Sequence, residues 1–402
     1  MKKSLLALAT LSAFAGAAHA QSSVTLYGII DAGITYSNLQ QTGAVGQASH
    51  AFQMTSGNLY GSRWGLKGTE DLGAGNSAIF ALESGFNIFN GNRGQGGQMF
   101  GRQAYVGLQS ERLGTVTLGR QYDSLSDFVG LYTVSNDWAT AFGAHFGDID
   151  NLNQSIRINN AIKYVSPVVG GFSIGGLYSL GGVAGNFAAN RVWSVAGSYA
   201  QGPVSIGVGY LDIHNPLTGS IDAPSGGSYA QVSGNYEGSL PPTYGNLQVA
   251  RSMRVLGAGA SYTWGPATFN AVWTRTRLDD SQYFALNGGG APASDVRFDN
   301  YEIGAKYAIT GDWNVGASYT YTNGKADYLD LHPRFHQVNL GTNYAISKRT
   351  AFYLVGTFQK AAGDGLAFNG NSYVPIAATT ALGAASGTDR QVSVTAGIKH
   401  SF

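Results

Sequence analysis

From residue 24 onward, apolar and polar side chains alternate in short runs separated by turns. The last run, 390–402, is the clearest. Val392, Val394, Ala396, Ile398, His400 and Phe402 fall on one side, and Gln391, Ser393, Thr395, Gly397, Lys399 and Ser401 on the other. A period of two sustained this long predicts a strand with one face in an apolar phase and the other in a polar one. An unpaired edge of that length would invite aggregation, so the strand should pair on both sides. It does so most simply by meeting the first strand and closing a barrel.

Sixteen such runs follow one another: 24–36, 62–72, 76–88, 100–111, 114–123, 159–168, 171–181, 191–202, 203–214, 253–265, 267–278, 297–310, 312–324, 336–347, 350–361 and 390–402. Most come close to the roughly 9–11 residues of a tilted membrane strand. Short connections at 71–75, 111–114, 166–171, 200–203, 264–267, 309–312 and 346–350 alternate with long ones near 37–61, 89–99, 124–158, 182–190, 215–252, 279–296, 325–335 and 362–389. Short turns at one end and long loops at the other are the signature of a barrel with periplasmic turns and outer loops. The expected fold is therefore all-β, a 16-stranded antiparallel transmembrane β-barrel.

The faces agree. In 312–324, Trp313, Val315, Ala317, Tyr319 and Tyr321 oppose Asn314, Gly316, Ser318, Thr320 and Thr322. Small polar residues opposite the apolar ones suit a water-filled lumen better than the core of a soluble sandwich, and ring residues near strand ends suit interfacial girdles. Two runs break the pattern. In 100–111 both faces are mixed, and in 350–361 both are apolar, which places them against another subunit or beneath a loop folded inward. Arg120 shares a face with Val116, Leu118 and Tyr122. In lipid at mid-depth it would cost about 2–4 kcal/mol, so it is expected at a subunit interface with a partner there.

The first twenty residues stand apart. Lys2 and Lys3 precede a short apolar core and an Ala18-His19-Ala20 cleavage site, so 1–20 reads as a secretory signal peptide and 21–402 as a single barrel domain. Of 24 lysines and arginines two belong to this leader, against 23 acids. That near-neutral balance argues against a nucleic-acid partner. Charged residues make up 12% of the chain, about half the usual roughly 25%. The 58 glycines and the lack of cysteine leave a continuous hydrogen-bond ladder to hold the fold. The nearest decoy for a membrane helix, 164–190, is uncharged but holds seven glycines and Pro167, so it reads as two strands and a turn.

No catalytic, metal or cofactor set emerges. Gly171-Phe172-Ser173-Ile174-Gly175 matches a nucleophile pattern, but nothing helical follows to make the elbow. The histidines are scattered, with only His332 and His336 close, and no cysteine or carboxylate stands at metal-ligand spacing. Asp148-Ile149-Asp150 reads as solvated loop charge rather than a divalent-ion site. No Gly-rich phosphate loop ends in Lys-Ser/Thr.

Several stretches carry a resemblance: Val24-Thr25-Leu26-Tyr27-Gly28, then Ser62-Arg63-Trp64-Gly65-Leu66-Lys67-Gly68-Thr69-Glu70-Asp71-Leu72-Gly73, Gly101-Arg102-Gln103-Ala104-Tyr105-Val106-Gly107-Leu108, Leu118-Gly119-Arg120-Gln121-Tyr122 and the terminal Phe402. The chain resembles the general diffusion porins of Gram-negative outer membranes, in the branch typical of β-proteobacteria. The resemblance implies a sixteen-stranded homotrimer in the outer membrane, in contact with lipid bilayer and lipopolysaccharide. It also implies passive diffusion of inorganic ions and small hydrophilic solutes, and a terminal aromatic, Phe402, that the assembly machinery recognises.

It further implies that the third long loop, here 124–156, folds into the lumen opposite a basic wall. By motif match that wall holds Arg63, Arg102 and Arg157. Face assignment adds Lys67 beside Arg63, opposite Trp64 and Leu66, and Lys163 beside Arg157, opposite Ile158, Ile162 and Tyr164. The acidic Pro-Glu-Phe-Gly-Gly stretch of the enterobacterial loop is missing. The acidic side is expected from Asp127, Asp137, Asp148 and Asp150, with Glu83 facing inward to oppose or pair with the arginines. A basic wall against a weakly acidic loop predicts mild anion preference. Two alternatives stay open: a substrate-selective channel whose inner-loop aromatics Phe128, Tyr132, Trp138, Phe142 and Phe146 line a solute track, and a non-conducting barrel enzyme. A structural barrel or adhesin is a poorer third.

Overall fold

The computed structural model describes residues 23–216, 241, 243–287 and 291–402; the expected leader lies outside them. Six strands precede the long inner connection: β1 (Ser23–Gln41), β2 (Ala48–Ser56), β3 (Arg63–Gly73), β4 (Asn76–Gly85), β5 (Gln103–Ser110) and β6 (Gly114–Gln121). After it come β7 (Ile158–Val165), β8 (Phe172–Ser179), β9 (Val192–Gln201), β10 (Val204–His214), β11 (Ser252–Trp264) and β12 (Ala267–Ser281). The rest are β13 (Ser294–Ala308), β14 (Trp313–Ala326), β15 (Pro333–Ala345), β16 (Thr350–Gly363), the small hairpin β17 (Ala367–Phe368) and β18 (Tyr373–Val374), and β19 (Arg390–Ser401).

Each wall strand pairs antiparallel with its neighbours, and β19 returns to β1 with Ile29 opposite Ser401 and Ser37 opposite Ser393. β2 and β3 both lie along β1 and act as one stave interrupted at 57–62, so the closed wall has sixteen staves. The interruption corrects one expectation. The connection expected at 37–61 is largely strand, because β1 runs on to Gln41 and β2 pairs with it. The signal was there: His50, Phe52 and Met54 alternate with Ser49, Ala51, Gln53 and Thr55. Asp31 holds the break, its Oδ2 accepting from the Leu59 and Tyr60 amides at 2.7 and 2.9 Å and its Oδ1 from the Tyr353 hydroxyl at 2.7 Å.

Burial runs opposite to that of a soluble protein. Val106, Leu108, Ile174, Ile303 and Leu340 are exposed on the outer face, while Thr35, Thr274, Asn300, Asn339 and Thr395 are fully buried on the inner one. Such a surface is stable in contact with hydrocarbon and not with water. The run apolar on both faces, now β16, has Phe352 and Leu354 outside and Val355 inside. Val355 lies beside Gly341, on which the inner-loop Trp138 rests, so its inner face is covered.

The seam depends on one glycine. Gly28 and Phe402 exchange backbone hydrogen bonds of 3.0 and 3.1 Å, and a Cβ on Gly28 would stand 2.3 Å from the Phe402 ring. A Gly28→Val substitution therefore overpacks the seam, at a cost of about 1–3 kcal/mol. The variant should unfold at lower temperature than the parent in heat-shift electrophoresis, and Phe402→Ala in the same background should recover part of the loss. An unchanged midpoint would show that the seam carries no strain.

Candidate functional site

The third long connection turns inward. Asp123 starts it, capping the short helix Ser124–Val129 through the Ser126 amide at 2.9 Å and holding Asn151 at 2.7 Å across the loop. The wall beneath is paved with glycine. A Cβ at Gly207 would meet the Phe128 carbonyl at 2.4 Å, one at Gly259 the Tyr132 ring at 2.6 Å, and one at Gly316 the Trp138 ring at 2.3 Å. Only a bare backbone lets the loop approach so closely. Leu125, Phe146, Ile149 and Leu152 then bury against Leu211, Val255, Phe298 and Phe335 of the wall, at roughly 1.5–3 kcal/mol for each side chain fully removed from water. The Phe146 and Phe335 rings stack at 4.0 Å. This overturns the aromatic-track alternative, since Phe128, Tyr132, Trp138, Phe142 and Phe146 are all buried in the seat of the loop and line no solute path.

The loop's polar anchor is His145. Its Nδ1 meets Asp150 Oδ2 at 2.6 Å and its Nε2 lies 3.5 Å from Glu302 Oε2 on β13. Asp150 also accepts from the Thr274 hydroxyl at 2.6 Å and Asn300 at 3.2 Å. The two carboxylates push the imidazole well above the usual histidine range against the opposing effect of burial. Burial opposes ionisation of Asp150, but the imidazolium wins and holds that carboxyl below its usual value. Burial and the neighbouring Asp150 push Asp148 up to about 7. It accepts from the Asn153 and Ser155 amides at 2.8 and 3.1 Å. Two members of the expected acidic side are thereby corrected: Asp148 and Asp150 are 1% and 0% exposed, closing the loop and tying it to the wall rather than facing the lumen.

Across from this loop the basic residues come together. Arg63 and Arg102 share Glu83, with Arg102 Nε 2.8 Å and Arg63 Nη1 3.7 Å from Oε1, while the Tyr27 hydroxyl donates to Oε2 at 3.0 Å. Arg157 stacks over the Tyr122 ring at 5.4 Å, and Arg63 and Arg102 act on the same phenol. Lys163 donates to the Tyr122 carbonyl at 3.0 Å and pairs with Asp127, the loop-helix carboxylate. Lys67, on the same face of β3 as Arg63, lies 5.3 Å over the Tyr27 ring. Glu83 thus pairs within the basic wall rather than opposing it. Asp137 pairs with Lys306 at 2.6 Å. Lys306 and Lys399, which sits 5.7 Å over Tyr60, are lumen cations that the motif match missed. Their inward parity on β13 and β19 was the available signal.

Arg120 finds part of its bonding within its own chain. A bulge shifts the β6–β7 register between Gly119 and Gln121, with Gly119 at φ 137°. The side chain turns into its own wall and is buried. Nε donates to the Gly101 carbonyl at 2.8 Å, and Nη1 to Asn159 Oδ1 and, at 3.5 Å, the Arg157 carbonyl. These partners are neutral oxygens of its own chain, and Nη2 is buried without a hydrogen bond among the described residues.

A closed cylinder with an apolar exterior, a polar interior and a loop narrowing the bore is the architecture of a channel, and comparison with known proteins is decisive. Residues 7–364 match the Gram-negative porin family. This chain belongs to that family. Among its porin relatives, an outer membrane porin protein of Bordetella pertussis is 35% identical, covering 90% of this chain and 94% of its own. Outer membrane porin protein 32 of Delftia acidovorans is 31% identical over the full length of both. A solved anion-selective porin from Comamonas acidovorans superposes with a TM-score of 0.67 at 26% identity, covering 95% of this chain and 100% of that one. The porin stands in the outer membrane and is a channel, not an enzyme.

Proposed function

We propose that this porin lets inorganic ions and small hydrophilic solutes diffuse passively with a mild preference for anions, the selectivity being set where Arg63, Arg102 and Arg157 face the inner loop. The supporting observation is how the charges pair. The acids near the bore are already taken: Glu83 by Arg102 and Arg63, Asp127 by Lys163, Asp137 by Lys306. Arg157 and Lys67 instead lie against phenol rings, leaving a cationic surplus on this wall. Such a surplus concentrates mobile anions. The Comamonas relative is described as anion-selective, in keeping with this sign.

The same reading includes a signal peptide cleaved after Ala20, a homotrimer, with Arg120 held by its own chain near a subunit boundary beside the exposed Val116 and Leu118, and recognition of Phe402 during assembly. The test is a planar bilayer carrying the purified protein under a potassium chloride gradient. Current should rise linearly with concentration and the reversal potential should favour chloride. A potential favouring potassium contradicts the sign, saturating current would favour a substrate-selective channel, and a silent bilayer sinks the reading altogether.

A further inference from the structure

The final long loop, between β16 and β19, reaches from the outer surface to the constriction. Its hairpin, β17 and β18, leaves residues 369–372 exposed, whereas residues 376–380 are buried. The buried part grips the inner loop. Thr380 Oγ1 donates to the His145 carbonyl at 2.9 Å and accepts from the Gly147 amide at 3.0 Å, so one hydroxyl clasps the chain on both sides of Phe146. The Tyr244 hydroxyl donates to the Ile376 carbonyl at 2.8 Å, while its ring meets Phe146 edge-on at 5.3 Å. Ile376 and Ala378 belong to the same buried apolar cluster as Phe146 and Ile149.

A second link runs through the wall. Gln337, Gln359 and Gln391 stand directly opposite one another on β15, β16 and β19, and all three are buried. The Ala378 amide of the final loop donates to Gln359 Oε1 at 2.6 Å, and Gln359 Nε2 donates to Gln337 Oε1 at 2.9 Å. Gln337 Nε2 then donates to the Phe142 and Ala144 carbonyls of the inner loop at 3.3 and 3.2 Å. Gln391 Oε1 takes the Thr379 amide at 3.0 Å. A glutamine accepts at one atom and donates at the other, so it can pass a chain of hydrogen bonds along, each bond polarising the next. The strand ladder needs only backbone groups. These side chains therefore serve the two loops rather than the sheet.

We propose that the final loop positions the inner one: Thr380, Gln359 and Gln337 are positioning residues of the constriction, and the width of the bore is held from the outer surface. Asp150 and Glu302 tie the His145 turn to the wall, and the final loop closes over that turn from the outer side. Breaking either link strands buried donors and acceptors, which frees the turn to lift off its seat. The inference rests on the channel reading of this protein and not on the sign of its selectivity.

The experiment records single channels of the purified porin in planar bilayers for the parent, Thr380→Val and Thr380→Ser, with unfolding followed by heat-shift electrophoresis. Thr380→Val keeps the volume and loses the hydroxyl, so open-channel current noise should rise roughly tenfold and added protease should cut the inner loop. Thr380→Ser keeps the clasp and should stay quiet and uncut. The unfolding midpoint should be unchanged in both, because the strand ladder is untouched. A quiet, uncut Thr380→Val channel would overturn the proposal. Equal noise in Thr380→Ser would trace the effect to packing of the methyl group, and a lowered midpoint accompanying the noise would make Thr380 a residue of barrel stability; either result also overturns it. If Thr380→Val gives no conducting channel, Gln359→Met, which cuts the wall link without altering either loop, decides with the same readouts. A parent that does not conduct sinks the channel reading itself, and protease cutting, which needs no current, then still decides whether the clasp holds the loop.

Discussion

Replacing Arg63, Arg102 and Arg157 together by glutamine is expected to turn the reversal potential from chloride-favouring to potassium-favouring, with the chloride-to-potassium permeability ratio falling roughly tenfold. The substitution removes three positive charges around Tyr122 and leaves Glu83, so the local sum changes sign. Arg102→Gln alone should do less, since Arg63 Nη1 stays within 3.7 Å of Glu83. Glu83→Gln is the complementary change: it frees both guanidiniums and should strengthen chloride preference. All can be measured in planar bilayers, with heat-shift electrophoresis to confirm that each barrel has folded. If the triple variant kept the parent's potential, selectivity would belong to Lys306 and Lys399 instead.

His145→Ala should release the inner loop. Removing the imidazole leaves Asp150, and Glu302 beyond it, buried without their cation, and breaking a buried pair typically costs about 3–5 kcal/mol. Single-channel conductance should rise and become noisy, and the loop should become a cleavage site for added protease. An unchanged, quiet conductance would mean that the apolar seat holds the loop unaided.

The same cluster fixes the pH response. His145 is raised in the folded state, so its contribution is complete below the ordinary histidine pKa near 6.5 and is lost as pH rises through the elevated value. Asp150 is lowered, so its contribution is present above about 3.8 and lost as pH falls through the depressed value. Asp148 runs the other way: folding favours its neutral form, and that advantage fades as it ionises near pH 7. The loop should hold most firmly in mildly acidic solution, lose the Asp148 contribution by neutrality and loosen further in alkali.

The barrel was legible because period-2 alternation and loop asymmetry are properties of each strand by itself. β19, β14 and β13 stand where their patterns put them. β2 was hidden because its run sits between a turn and a break, and a nine-residue strand there reads as loop. The basic wall was visible as motif and parity, and so was Lys163. The acidic side was only partly visible. Asp127 and Asp137 do meet lysines, but whether Asp148 and Asp150 face water or protein depends on how the loop folds back on itself. The partners of Arg120 were hidden for a similar reason: the β6–β7 register shift that brings Asn159 within its reach is a property of two strands together.

The glycine-paved wall beneath the inner loop also has a mechanical meaning. Backbone without Cβ atoms keeps more torsional freedom and makes a weaker strand, so that arc of the cylinder would be compliant if nothing were lodged on it. Lateral compression by the bilayer would flatten the section there first. The loop lodged on it therefore serves as a strut, keeping the cross-section open as well as narrowing it.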